Sequence, residues 1–215
     1  MLNRSEQAIL VHVARAALSA PEGSEVSFAG SSRREGDRAR VPGLAELDPA
    51  SVVFRPGAAF VTWHGTEGRL RGCIGTTEAK MPLVDAVARM AWSAGHRDPR
   101  FAPIRDDEAS TLDVEISVLG PLEPVHAPWG DVTIGVHGLS VESDRARGLL
   151  LPQVAEERGW DVRTFLEATC QKAGLDKDAY GRPEVRVFRF PAQVFGQRAA
   201  DLRSTRRHVD VESAE

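Results

Sequence analysis

Apolar residues recur at three- and four-residue spacing near the start of the chain, where Leu10, Val13, Ala14, Ala17 and Leu18 of AILVHVARAALSA share one helical face. His12 and Arg15 interrupt the apolar run that a secretory signal requires, so the stretch predicts an amphipathic helix and not a leader. A second stripe, Leu83, Val84, Val87, Met90 and Ala91, follows Pro82, which fits a first helical turn, and should stop near Gly95. Before it, the short apolar runs AAFVTW and RLRGCIG flank a Gly-containing turn and predict a hairpin. TLDVEISVL alternates strictly, with Leu112, Val114, Ile116 and Val118 on one face and Asp113, Glu115 and Ser117 on the other, so it reads as a strand with one polar side. Later strands are expected in TIGVHGLSVES and GLLLP, around the polar turn SDRAR, and in VRVFRF. Between them, FLEATCQKAG predicts a helix capped by Asp161 and ended by Gly174.

Two stretches lack such patterning. PEGSEVSFAGSSRREGDRAR reads as a solvated loop, with the packed core resuming near Val52, and the charged segment from Gln197 onward reads as a frayed tail. The expected organisation is therefore one domain over residues 1–196 and a disordered tail over 197–215. Strands joined by tight hairpins, with helices interspersed but no regular βαβ spacing, predict an α+β fold with a mainly antiparallel sheet flanked by helices.

With 215 residues and 42% hydrophobic content, the chain can form one core, or one core with a small appendage. No segment approaches the length of a membrane span. The net charge of -4 gives no pull toward phosphate backbones, and the local basic residues Arg33, Arg34, Arg38 and Arg40 lack interleaved aromatics, so nucleic acid is a poor fit as partner. Cys73 and Cys170 belong to no CxxC pair, which argues against a disulfide framework or zinc ribbon and fits a reducing cytoplasm. His64, His96 and His137 show no metal-pair spacing, and no metal or cofactor is expected. Without GxSxG, P-loop or Rossmann fingerprints, hydrolase, NTPase and dinucleotide readings have no foothold.

Chemistry concentrates in RLRGCIG. As a strand it places Arg69, Arg71 and Cys73 on one face and Leu70, Gly72 and Ile74 on the other. Cations beside a thiol favour its nucleophilic form, and Gly72 and Gly75 admit close approach of a ligand whose charge their N–H groups could cradle. The structural alternative is a buried cysteine, arginine stems covering an apolar edge, and glycines marking a bulge. HRDPRF gathers His96, Asp98 and Arg100 around Pro99, as a site or as a helix stop with Asp98 paired locally. Glu115 could orient Arg71 or act as general base, or be a salt-bridged surface carboxylate. Cys170, beside Phe165, Leu166 and Ala173, reads as a packing residue.

The succession AFVTW, LRGCIGT, PLVDAV, DPRF, LDVEISVL, HGLSV, GLLLPQVA and KAGL resembles the AMMECR family from about Leu2 to Phe195, and LRGCIG is its most specific block. The resemblance implies a larger subdomain with an antiparallel sheet and flanking helices, a smaller subdomain beside it, and LRGCIG facing a cleft between the two. It carries the family's site onto Arg71, Gly72, Cys73, Ile74 and Gly75, with Asp98, Pro99, Arg100, Phe101 and Glu115 as neighbours, and brings no proven catalytic role. Bacterial and archaeal relatives resemble the first protein of a system whose other members are a MEMO-type protein and a radical S-adenosylmethionine enzyme. This chain lacks the CxxxCxxC motif of the radical enzyme. Gly95-His96-Arg97 departs from the bulkier apolar residues expected before DPRF. The functional expectation is a cytoplasmic protein that binds a small anionic or carbonyl ligand at Cys73, with or without thiol-dependent catalysis. The alternative is a non-catalytic adaptor for a MEMO-type partner.

Overall fold

Helix α1, Arg4–Leu18, opens the computed structural model, which describes residues 1–21, 28 and 41–201 and, at 128–129, the backbone alone. Asn3 starts the helix: its side chain accepts from Glu6 N–H at 3.0 Å while Glu6 Oε2 accepts from Asn3 N–H at 2.9 Å, a capping box. The Ser51 hydroxyl also donates to Glu6 Oε1 at 2.6 Å, tying the helix start to a later loop. Leu10, Val13, Ala14, Ala17 and Leu18 are all buried, as their spacing predicts.

The chain forms two compact units, a larger one of Met1–Val118 with the segment from Val194, and a smaller one of Leu119–Gln193. In the larger unit, β1 (Ala58–His64) and β2 (Leu70–Gly75) form the expected antiparallel hairpin. Helix α2, Leu83–His96, takes Pro82 as its N-cap and includes Gly95, so it runs one residue past the expected stop. It packs with α1 and β1, and the Trp63 indole N–H donates to Ala91 O at 3.0 Å within the core. A short helix α3, Asp106–Ala109, leads into β3, Asp113–Leu119. Ser117 is buried, so the polar side of β3 ends at Glu115.

The smaller unit contains β4 (Glu123–Pro124), α4 (Pro128–Asp131), β5 (His137–Glu142), β6 (Arg147–Leu150), α5 (Pro152–Glu157) and α6 (Val162–Lys172). Its sheet is antiparallel, with β5 between β6 and the first part of β7, Arg186–Gln197, and β4 also paired with β7. Asp161 caps α6 by accepting from Thr164 N–H at 2.8 Å, and Gly174 adopts φ 76° just beyond the helix, as expected. Leu139, Phe165, Leu166 and Cys170 are fully buried, so Cys170 is a packing residue. Strand β7 is twice the length of VRVFRF, and its residues from Val194 belong to the larger unit, where the strand order is β2-β1-β3-β7.

Two boundaries move. Ordered structure continues past residue 196: Arg15 donates to the Gln197 side chain at 2.7 Å and Asp113 accepts from Ala199 N–H at 2.7 Å. Residues 202–215 of the expected tail, and 22–27 and 29–40 of the expected loop, lie outside the described residues. Within that loop Phe28 is buried, and Val41 and Leu44 join the same core, so packing resumes well before Val52.

Candidate functional site

Strand β2 is the edge of its sheet, and its pairing explains where each RLRGCIG side chain goes. Phe60 lies opposite Gly75, Thr62 opposite Cys73 and Trp63 opposite Gly72, but His64 pairs with Leu70, leaving Arg71 as the extra residue of a bulge. A bulge breaks the two-residue period, so the expected common face for Arg69, Arg71 and Cys73 does not extend to Arg69, which precedes the strand and is exposed. At both glycines a side chain would collide with the protein itself. A methyl group at Gly72 would sit 2.0 Å from the Ala94 carbonyl oxygen, and one at Gly75 would sit 2.1 Å from the Phe60 ring. Both glycines allow close packing, and Ile74 packs against the buried core.

Cys73 is half-buried, and the Thr62 hydroxyl donates to its sulfur at 3.3 Å. The DPRF loop closes on the open edge of the strand at the same residue. Asp98 Oδ2 accepts from Cys73 N–H at 2.9 Å, and Arg100 Nη2 donates to Cys73 O at 3.2 Å. Asp98 and Arg100 are themselves joined in a two-pronged pair, Nε to Oδ1 at 2.9 Å and Nη2 to Oδ2 at 2.7 Å. The Asp98 carboxyl, only 2% exposed, is held well below the usual carboxylate range by its hydrogen bond to Arg100 and further by the Cys73 and Arg100 N–H groups, against burial. The Arg100 guanidinium is raised, first by that hydrogen bond and in smaller part by the Asp98 and Cys73 charges. The two side chains occupy the positions a neighbouring strand's backbone would take, which blunts the sheet edge.

Arg71 pins the other end of the loop. It donates to Glu108 through Nε at 2.6 Å and Nη2 at 3.0 Å, and to the carbonyls of Ala102 and Pro103 at 2.7 and 3.4 Å. The Glu108 carboxyl is lowered mainly by this hydrogen bond. Glu108 thus takes the orienting role expected of Glu115. It sits in the acidic run DDE, where nothing in the spacing singles it out, and Thr62 comes opposite Cys73 through a register that depends on the bulge.

His96 makes its contacts elsewhere: its Nε2–H donates to the Leu18 carbonyl at 2.9 Å and its ring lies 5.2 Å from that of Trp92. Glu115 is separated from Cys73 by strand β1. It lines a concavity of about 420 Å³ with His64, Asp113, Val194, Phe195 and Arg198, and no residue of RLRGCIG or DPRF contributes to that lining. Among the described residues no cluster of His, Cys, Asp and Glu has the arrangement of a metal site. No helix among them is long and apolar enough to cross a membrane.

Comparison with known proteins places these features in a family. The AMMECR1 family model matches residues 12–195. A protein of Methanothermobacter thermautotrophicus is 44% identical over 199 residues, spanning 90% of this chain and 95% of that protein. One of Aeropyrum pernix is 43% identical over 157 residues, 70% of this chain and 68% of the relative. The crystal structure of the uncharacterized protein PH0010 from Pyrococcus horikoshii superposes with a TM-score of 0.72 at 33% identity, covering 89% of this chain and 91% of that one. The family match takes in the hairpin, Cys73, the DPRF loop and nearly all of β7, and the chain belongs to the AMMECR1 family.

Proposed function

We propose that the protein is a cytoplasmic thiol-dependent protein that holds a small ligand bearing an anionic group and a carbonyl at Cys73. One observation carries the reading. The half-buried cysteine and a partly free guanidinium are fixed to the same residue of an edge strand, since Arg100 uses Nε and Nη2 on Asp98 and Cys73 O while Nη1 makes no hydrogen bond among the described residues. With 54% of the Arg100 side chain exposed, Nη1 remains accessible to an anion. Arg71, fully engaged with Glu108 and two carbonyls, has no such role. The chemistry is addition of the thiol to the carbonyl: the S–C bond forms, the C=O π pair moves onto oxygen, and the thiol proton ends on that oxygen. The Thr62 hydroxyl orients the sulfur for this step. The protein would act alongside a MEMO-type protein and a radical S-adenosylmethionine enzyme, a partnership that co-purification of the three tests directly.

The decisive experiment follows alkylation of Cys73 by peptide mass spectrometry, with buried Cys170 as internal control and glyoxylate as protecting ligand. Glyoxylate should slow labelling of Cys73 but not of Cys170, and Arg100→Gln should weaken that protection roughly tenfold. Labelling of Cys73 that is as slow as that of Cys170, or unaffected by glyoxylate, removes the reading.

A further inference from the structure

The concavity around Glu115 is built entirely from the larger unit and takes no part in the Cys73 reading. We infer that it binds a small zwitterion of the α-amino-acid kind, with the ammonium on Glu115, the carboxylate on Arg198 and an apolar side chain against Val194.

The argument starts from the charges that line it. Asp113 is occupied: its Oδ1 accepts from Ala199 N–H at 2.7 Å, and its charge acts on the half-buried Arg15. Asp201 is engaged as well. His64 turns Nδ1 toward the Gly68 carbonyl of its own turn at 3.2 Å. That leaves one negative and one positive group, Glu115 and Arg198. Neither side chain hydrogen-bonds or ion-pairs with the other, or with anything else among the described residues, although both face the same hollow. Glu115 is half-buried and Arg198 exposed, and a carboxylate and a cation that share one wall without reaching each other leave the space between them for a ligand carrying both charges. An amine alone would answer only Glu115, and a carboxylate alone only Arg198.

The remaining lining fits that ligand. A volume of about 420 Å³ lies in the usual range for small-molecule sites, roughly 300–1,000 Å³. Val194, 44% exposed, is among the few large apolar side chains left open to solvent and supplies an apolar contact beside the two charges. Gly196 lets β7 approach β3, since a methyl group there would lie 2.2 Å from the Val114 carbonyl oxygen. This close approach places Glu115 and Val194 on one continuous wall.

The test titrates L-leucine, isopentylamine and 4-methylpentanoate into the full chain, following backbone amide resonances. Leucine should shift the signals of Asp113–Glu115 and Val194–Arg198, and each half-molecule should bind roughly tenfold or more weakly than leucine. Glu115→Gln and Arg198→Gln should each weaken leucine by a similar factor, while Arg198→Gln leaves isopentylamine unchanged. Val194→Trp, which fills the hollow and keeps both charges, should also abolish the shifts. Absence of shifts at about 20 mM leucine overturns the inference. So does equal binding of the half-molecules, or leucine binding that survives all three substitutions. Cys73 labelling is read on the same samples, and its response to glyoxylate reports separately on the thiol site.

Discussion

Gly72 has no room for a side chain, because the space a Cβ would take is 2.0 Å from a backbone oxygen of α2 and not from a flexible side chain that could move aside. Gly72→Ala must therefore push the edge strand away from the helix. Overpacking of this kind costs about 1–3 kcal/mol, which for a chain of this size lowers the melting midpoint by roughly 2–4 °C per kcal/mol. The companion change Gly68→Ala probes a glycine whose Cβ would meet nothing within 4 Å but whose φ is 72°, so its penalty is one of conformation alone. Calorimetry should rank Gly72→Ala as the more damaging, and should find the Cys73 alkylation rate altered only in that variant. Equal losses, or unaltered Cys73 labelling in Gly72→Ala, would mean that helix contact does not set the strand's position.

At the scale of elements, the loop from Arg97 to Arg105 is clasped to β2 at two points, Asp98 and Arg100 on the Cys73 backbone and Arg71 on Glu108 and two carbonyls. The Asp98 clasp has a defined pH signature. Its folded-state pKa lies below the ordinary value, so the native state binds fewer protons than the unfolded chain in acid. The stabilisation is present above about pH 4, the unfolded aspartate value, and is lost as the pH falls toward the lower folded value. Asp98→Asn should cost about 1.5–3 kcal/mol near neutrality, and urea midpoints of variant and wild type should converge below about pH 4. A gap that stays constant as the pH falls well below that value would mean the charge of Asp98 contributes nothing. The clasp also marks how far the sequence could be read. The hairpin, the helix before the loop and the presence of a carboxylate and two arginines in DPRF and RLRGCIG follow from local periodicity and composition. Pairing register does not: one bulged residue, Arg71, uncouples Arg69 from the face of Cys73, and that residue leaves no trace in the alternation. Glu115 failed as a neighbour for a related reason, since strand order is a property of the assembled sheet and puts β1 between it and Cys73.

For the molecule as a whole, the α+β class and the order of elements were legible because nearly every helix and strand carries its own period, as in the stripe of α1 and the alternation at the start of β3. The division into a larger and a smaller unit was implied by the family resemblance, but its boundaries were not legible, because they fall inside elements: the first follows Val118 in β3 and the second precedes Val194 in β7. The two units should respond to acid in different pH ranges. The larger holds Asp98, which acts only below about pH 4. The smaller holds His137, at the start of β5, whose Nδ1 accepts from Thr133 N–H at 3.0 Å. Its pKa is lowered, first by burial and then by Arg189 of β7, with Glu123 of β4 opposing. Glu123 is itself paired with Arg189 at 2.9 Å, so it offers little charge to an imidazolium. A proton on Nδ1 would replace the acceptor that Thr133 needs and set a second cation beside Arg189. Stability from the neutral ring is therefore complete above about pH 6.5, the unfolded value, and is lost as the pH falls toward the lower folded value. Urea unfolding sampled by brief thiol labelling at a common pulse pH follows the smaller unit, since Cys170 is fully buried there. Between about pH 7.5 and pH 5.5 the Cys170 midpoint should fall, and His137→Asn, which keeps an acceptor but cannot be protonated there, should flatten the Cys170 curve. If the Cys170 midpoint falls equally in wild type and His137→Asn, the acid response of the smaller unit comes from another group.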